Sequence, residues 1–214
     1  MVKVFAHRGF VQNNIKQNSI ASLKNAVKNN FTAIEFDIWF FDGEFYLSHD
    51  KPTQLSLNNL PRFRDYLLFE NRLDYWIDFK NLNEQNIVDA LELINRDIKK
   101  SKINLEKVYF APYITDYDLA EKISHYFYKT FGSNVNTAII CDNVSLINKA
   151  IELIDIGVFK YISIDYKLIN DDVLTKVSSK KLLAWTVNDR NIFNDLVLKG
   201  VDKFASDSLE QFPN

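Results

Sequence analysis

Short apolar runs of about four to eight residues alternate along this chain with longer segments whose apolar residues recur every three or four positions. The short runs are rich in β-branched and aromatic residues. They predict strands over 2–6, 33–40, 75–80, 108–111, 137–141, 161–165, 182–187 and 203–206. The longer segments predict helices over 21–30, 84–100, 117–131, 146–156, 171–177 and 190–199. In 84–100, for example, Ile87, Leu91, Ile94 and Ile98 share one helical face. Gln17-Asn18-Ser19 supplies an N-cap signal for the first helix. Asp42-Gly43 predicts a hairpin turn, from which 45–48 runs back beside the second strand. Between Lys51 and Asp74 the pattern predicts a Pro-containing loop and a helix around Leu57 to Phe69.

Strand followed by helix, repeated to the end of the chain, predicts an α/β fold with a parallel sheet. Eight such strands with right-handed crossovers predict a closed (β/α)8 barrel of the TIM type. The last helix is expected to be a stub after Asp207. At 214 residues and 47% hydrophobic composition the chain can bury one large core, and a single domain over 1–214 is expected.

The chemistry concentrates at predicted strand ends, where such barrels carry their sites. In 33–40, Glu35 and Asp37 are two apart and project to one face, while Ile34, Phe36 and Ile38 project to the other. Two adjacent carboxylates repel unless something positive neutralises them, and a hard divalent cation prefers their oxygens. A solvated strand edge is the plainer reading of that pair taken alone. Its company changes the picture. The first strand stops in His7-Arg8-Gly9, which brings together an acid/base imidazole, a fixed cation and a permissive backbone position. The hairpin returns toward Ser48-His49-Asp50, and 75–80 carries Asp78 and Lys80 on one face. Only three histidines occur, and His7 and His49 both fall here; His125, in a Tyr-rich helix, is read as surface or packing.

These pieces resemble the glycerophosphodiester phosphodiesterase family, whose pattern is His-Arg-Gly, Glu-Asn-Thr, Glu-x-Asp, His-Asp and Glu-x-Lys. Here they stand as His7-Arg8-Gly9, Gln17-Asn18-Ser19, Glu35-Phe36-Asp37, His49-Asp50 and Asp78-Phe79-Lys80. Trp185-Thr186-Val187-Asn188 and the stretch 200–207 look like the family's seventh and eighth strands, so the resemblance spans the chain. It implies a divalent metal ion, Mg²⁺ or Ca²⁺, held by Glu35, Asp37 and Asp78. Arg8 and Lys80 would then hold the phosphate, His7 and His49 would serve as the acid/base couple, and Trp185 would bind substrate or pack the barrel. Asp50 either caps the following turn or orients His49. The reaction implied is hydrolysis of a glycerophosphodiester to glycerol phosphate and an alcohol.

Gln17 and Asp78 depart from the pattern, each standing where the family has Glu. Asp is one methylene shorter, and Gln keeps the reach but loses the charge. The inserted subdomain common in the family is missing between His49-Asp50 and the third strand. The barrel mouth is expected to be open on that side, which suits a loosely held headgroup or a larger ester. The alternatives are the same chemistry on a glycerol-phosphate polymer or nucleotide-linked alcohol, or a barrel that binds a phosphorylated ligand without turning it over.

A net charge of −2 and the lack of a dense Lys/Arg run give no field for nucleic acid, so a small-molecule phosphodiester is the expected partner. The single Cys141 makes no internal disulfide. The first strand begins beside Met1 and no apolar stretch approaches the roughly 20 residues of a membrane span, so a cytoplasmic protein is expected. Aromatic residues make up 14% of the chain, read as packing rather than as a lipid-facing surface. Nothing in the sequence sets an oligomeric state.

Overall fold

Parallel pairing of the predicted strands closes on itself. The computed structural model of the chain describes residues 2–12, 14–69, 72–114 and 116–208. Its strands are β1 (Lys3–Ala6), β2 (Ala33–Phe41), β3 (Glu44–Leu47), β4 (Asp74–Phe79), β5 (Val108–Pro112), β6 (Asn136–Cys141), β7 (Tyr161–Asp165), β8 (Leu182–Trp185) and β9 (Lys203–Ser206). All but β3 pair in parallel, in the cyclic order β1-β9-β8-β7-β6-β5-β4-β2 and back to β1. This is the expected eight-stranded barrel. β3 lies antiparallel on the end of β2, with Phe41 opposite Glu44. Asp42 and Gly43 turn the hairpin with φ of 49° and 73°, the left-handed pair that a two-residue hairpin turn requires.

The helices are α1 (Ile20–Lys28), α2 (Gln54–Leu57), α3 (Phe63–Phe69), α4 (Ile87–Ser101), α5 (Ala120–Phe131), α6 (Ile147–Asp155), α7 (Asp171–Lys176) and α8 (Arg190–Leu198). Ser19 caps α1 as expected, accepting from the Ser22 amide in a reciprocal capping box. The single helix expected over 57–69 is two helices. Pro61 has no N–H to donate to a helix and disfavours helical backbone at Leu60. Its carbonyl instead accepts from the Leu47 amide, and Arg62 bridges to Tyr46, so the segment is stitched to β3. The seventh barrel strand ends at Trp185, two residues before its expected end. The stub expected after Asp207 falls on 209–214, outside the described residues. No helix among the described residues is long and apolar enough to cross a membrane.

Side-chain alternation along the strands makes two apolar layers. Ile34, Phe36 and Ile38 of β2, with Tyr75, Ile77 and Phe79 of β4, point outward into the layer covered by the helices. Phe5, Ala33, Trp76, Tyr109, Ala111, Ala138, Leu183 and Ala205 point inward. Large rings there sit beside alanines: Phe5 meets Trp76 and Tyr109 edge-on, each at 5.6 Å between centroids. This filled layer floors the barrel. Below it, at the N-terminal ends of the strands, Lys3 pairs with Asp74, and Asp202 pairs with Lys203 at 2.8 Å and Lys180 at 3.0 Å. Above it lies the candidate site.

Candidate active site

The inward parity that places Ala33 in the floor places Glu35 and Asp37 above it, both buried at 5% and 1% exposure. β2 and β4 are in register with Asp37 opposite Asp78, so the third carboxylate stands beside the second. One oxygen from each of Glu35, Asp37 and Asp78 falls within 4.8 Å of the others. Lys80 lies among them, its Nζ 2.7 Å from Asp37 Oδ1 and 2.6 Å from Asp78 Oδ2. Arg8 Nε approaches Asp37 Oδ2 at 3.3 Å, a charge contact whose angle makes no hydrogen bond.

The loop after β1 is shaped for this contact. Arg8 adopts a left-handed φ of 54°, a costly conformation for a side chain of this type. It aims the Arg8 amide at Glu35 Oε2, 2.9 Å away. Gly9 follows at φ 78°, where any Cβ would run into the Ser22 side chain and lie 2.9 Å from its carbonyl carbon. Gln17 Oε1 accepts from Arg8 Nη1 at 3.0 Å, so the neutral amide reaches the guanidinium without a charge. Asn18, which the sequence offers as a helix signal and as part of the Gln17-Asn18-Ser19 match but with no role of its own, is 2% exposed. Its side-chain amide donates to Asp37 Oδ2 at 2.8 Å, and its Oδ1 accepts from the Asp37 backbone amide at 3.1 Å. Asn18 thereby fixes the central carboxylate.

Both histidines border the same cavity, of about 360 Å³, as the carboxylate cluster. His7 Nδ1 lies 2.8 Å from Asp207 Oδ1, and His49 Nδ1 lies 2.8 Å from Asp50 Oδ1. An ionised carboxylate only accepts, so each Nδ1 carries a proton and each neutral ring keeps its lone pair on Nε2. His7 Nε2 is 3.9 Å from Glu35 Oε2. Asn188 donates to Asp207 Oδ2 at 2.7 Å, and its Oδ1 accepts from the Asp207 amide at 2.9 Å. Asn188 and Asp207 fall in stretches that carry the family resemblance, with no role of their own in the sequence; the inward alternation of Lys203, Ala205 and Asp207 is the signal that finds a role for the second.

The titration behaviour follows the crowding. Burial, and then the charge of Asp37, push the Glu35 carboxyl up to about 8. Burial, and then Asp37 against the opposing pull of Lys80, raise Asp78 to about 6. Burial alone would lower Lys80, but Asp78 and Asp37 outweigh it and hold the ammonium well above its ordinary range. For His7, burial favours the neutral ring; the Asp207 hydrogen bond and the charges of Glu35 and Asp207 outweigh it and raise the pKa.

The cluster fits a divalent cation. Asp78 Oδ1 is buried with no hydrogen-bond partner among the described residues, an open ligand oxygen inside a ring of like charge. Three oxygen donors suit a hard ion such as Mg²⁺ or Ca²⁺. Lys80 and Trp185 also line the cavity, the latter donating from Nε1 to Ser163 Oγ at 2.9 Å. The structure thus gathers all eight residues expected at the site: His7, Arg8, Glu35, Asp37, His49, Asp78, Lys80 and Trp185. His125 lies apart, exposed on α5 beside Tyr126.

No family model and no curated protein matches the chain. Solved structures do. A glycerophosphodiester phosphodiesterase from Parabacteroides distasonis superposes with a TM-score of 0.75 at 20% identity, over 98% of this chain and 94% of that one. A phosphodiesterase from Oleispira antarctica, solved with its product sn-glycerol-3-phosphate, gives 0.73 at 14% identity over 96% and 92%. A dihydrodipicolinate synthase from Rhodopseudomonas palustris gives 0.52 at 9% identity, over 97% of this chain and 70% of that one. At such identities the likeness is one of fold, and over nearly its whole length that fold is the barrel of these two phosphodiesterases.

Proposed function

We propose that the chain is a metal-dependent phosphodiesterase that hydrolyses a glycerophosphodiester-type ester to glycerol phosphate and an alcohol. The observation that carries this reading is the mutual placement of three like-charged carboxylates, two cations and two oriented imidazoles on one cavity. A fold alone would not license it, because this barrel hosts many reactions.

Glu35, Asp37 and Asp78 would hold the ion. When bound, a divalent cation polarises a non-bridging phosphate oxygen and offsets the charge that builds in the transition state. Arg8 and Lys80 face the same carboxylates and present their remaining N–H groups to the phosphate, where they supply fixed positive charge. With Nδ1 tied to a carboxylate, the Nε2 of one histidine accepts the proton of the attacking hydroxyl. The other, protonated at Nε2, donates to the leaving alkoxide. Asp207 and Asp50 stabilise the imidazolium that each ring becomes in turn. Attack by water yields the monoester directly, whereas attack by a substrate hydroxyl yields a cyclic phosphate first. The product found with the Oleispira protein supports glycerol phosphate as the retained half.

The test is incubation of the purified chain with a panel of phosphodiesters, with Mg²⁺ and Ca²⁺ supplied separately and products followed by ³¹P NMR. Appearance of glycerol phosphate or its cyclic form supports the reading. A panel that is bound but never cleaved, with either metal, makes the chain a binding barrel instead.

A further inference from the structure

Charge is distributed unevenly between the two faces of the barrel. Its helices run opposite to its strands, so helix ends and strand starts share the N-terminal face. Lys28, Lys99 and Lys129 fall in the last turns of α1, α4 and α5. Lys160 directly precedes β7, and Lys180 and Lys181 precede β8. Lys180 is tied to Asp202 at 3.0 Å; the others pair with no carboxylate among the described residues. Against them stand two exposed acids, Glu106 before β5 and Asp155 at the end of α6. A cation at a helix C-terminus offsets the macrodipole, which accounts for Lys28, Lys99 and Lys129. Lys160, Lys180 and Lys181 lead into strands and have no such reason.

These three lysines edge an open groove of about 710 Å³ whose walls include Tyr128, Phe159 and Tyr161. Lys160 is half-buried there, and burial lowers its pKa, so its ammonium is short of a counter-ion. Two large aliphatic side chains stand beside the groove in water: Ile156 at the end of α6 is 57% exposed, and Leu198 at the end of α8 is 87% exposed. Ile154 and Gly157 of the groove bracket the first. Gly200 packs against Ser179, which brings the second to the turn that carries Lys180 and Lys181. Exposed aliphatic groups among unpaired lysines suit the boundary of a bilayer, where anionic headgroups meet acyl chains.

The chain as a whole carries −2, so acids elsewhere offset these lysines. Around the mouth Asp50, Asp142 and Asp189 stand exposed, and Asp142 lines the cavity with Tyr113. An anionic surface turns such a molecule so that its N-terminal face meets the surface.

We propose that the N-terminal face between α5 and α8 docks on an anionic phospholipid bilayer, with Lys160, Lys180 and Lys181 at the headgroup phosphates and Ile156 and Leu198 entering the acyl boundary. The mouth then opens away from that bilayer, so a ligand reaching the cavity comes from solution. The inference stands on the outer face alone and does not depend on the phosphodiesterase reading.

The test is co-flotation of the full chain with vesicles of phosphatidylcholine alone and of phosphatidylcholine mixed with phosphatidylserine. The mixed vesicles should bind about tenfold tighter or more, and salt at about 0.5 M should remove most of the difference. Lys160→Gln/Lys181→Gln should lose about tenfold or more, since each lysine near an anionic surface multiplies affinity about fivefold. Lys28→Gln/Lys99→Gln, on the arc of α1 and α4, should lose less than about threefold. Ile156→Ser/Leu198→Ser should weaken binding by about tenfold. Circular dichroism checks that each variant keeps the fold. Equal binding of wild type to both kinds of vesicle, or no loss in Lys160→Gln/Lys181→Gln, overturns the proposal. An equally tight complex with a short duplex DNA, lost in the same variant, also overturns it and makes the groove a general polyanion site. Dimerisation without vesicles, lost in that variant, overturns it too and seats the face on the acidic mouth of a second copy.

Discussion

Lys and Asp meet at both ends of the barrel, under different rules. At the N-terminal end, Asp202 sits between Lys203 and Lys180, and Asp74 faces Lys3 with Lys107 at 3.8 Å. Cations there match or outnumber carboxylates. Burial works against the Asp202 charge, but the hydrogen bonds from Lys203 and Lys180 outweigh it and lower its pKa. At the C-terminal end three carboxylates crowd around one lysine and one arginine, and the same burial drives Glu35 up to about 8. Matched charges contribute to holding the fold. Unmatched ones store a demand that a ligand can meet. On the proposed function, the lower ring serves stability and the upper one the reaction.

Four experiments can break that assignment. The largest effect is expected from chelation: EDTA should reduce turnover by on the order of 10³-fold or more, the several kcal/mol that a Lewis acid supplies. Added Mg²⁺ or Ca²⁺ should restore it. Full activity in a metal-free preparation would mean that the upper carboxylates serve some other partner.

Next in size are the histidines. His7→Ala and His49→Ala should each lose about 10²–10⁴-fold in kcat with the fold intact by circular dichroism. His125→Ala should do nothing comparable. A variant of either that keeps near wild-type kcat on a diester with a poor leaving group would remove that ring from the chemistry.

The third experiment tests the frustration itself. Glu35 has a folded-state pKa of about 8, raised above its ordinary 4.5. The unfolded chain therefore loses this proton first as pH rises. Stability is highest below the unfolded pKa and declines until the folded pKa is passed. Metal-free wild type should show a Tm that falls between about pH 5 and pH 8. Glu35→Gln should flatten that slope and, in the same protein, weaken Mg²⁺ binding. Parallel Tm curves for the two proteins in EDTA would show that Glu35 carries no such strain.

The smallest effect belongs to the lower ring. Asp202→Asn should cost about 1 kcal/mol, since this pair is partly screened by solvent, and lower Tm by roughly 2–4 °C. Its kcat/KM should stay within about twofold of wild type. A tenfold loss of kcat/KM without a change in Tm would invert the assignment.

The barrel was legible because its rules are local. Alternating runs mark the strands, and strand parity alone places Glu35, Asp37 and Asp78 on one side of the wall. His7 and His49 stood out because histidine is rare here and both sit in short motifs. What escaped was mostly the support beneath these groups. Asn18 reaches Asp37 from a left-handed backbone at φ 50°, a conformation that sequence does not announce. Asp207 meets His7 across 200 residues of chain, and only closure of the ring shows them to be neighbours. Tyr113 and Asp142 each lie one residue past a strand end, where periodicity has already stopped. Pro61 was visible, but its effect of splitting a helix depends on β3 being near enough to take up its carbonyl.

The contact between His7 and Asp207 also has a bearing on timing. It lies on the seam where β1 and β9, the first and last strands of the barrel, run side by side with Lys3 opposite Lys203 and Ala6 opposite Ser206. During synthesis the His7 imidazole emerges almost at once, yet the carboxylate that orients it and the strand that carries that carboxylate come about 200 residues later. At roughly 5–20 residues per second, that interval is on the order of ten seconds or more. A ribosome-bound chain holds the three clustered carboxylates and both imidazoles well before it holds the seam. On the proposed function, the chain would be silent while it is being made, because only the finished barrel brings Asp207 to His7.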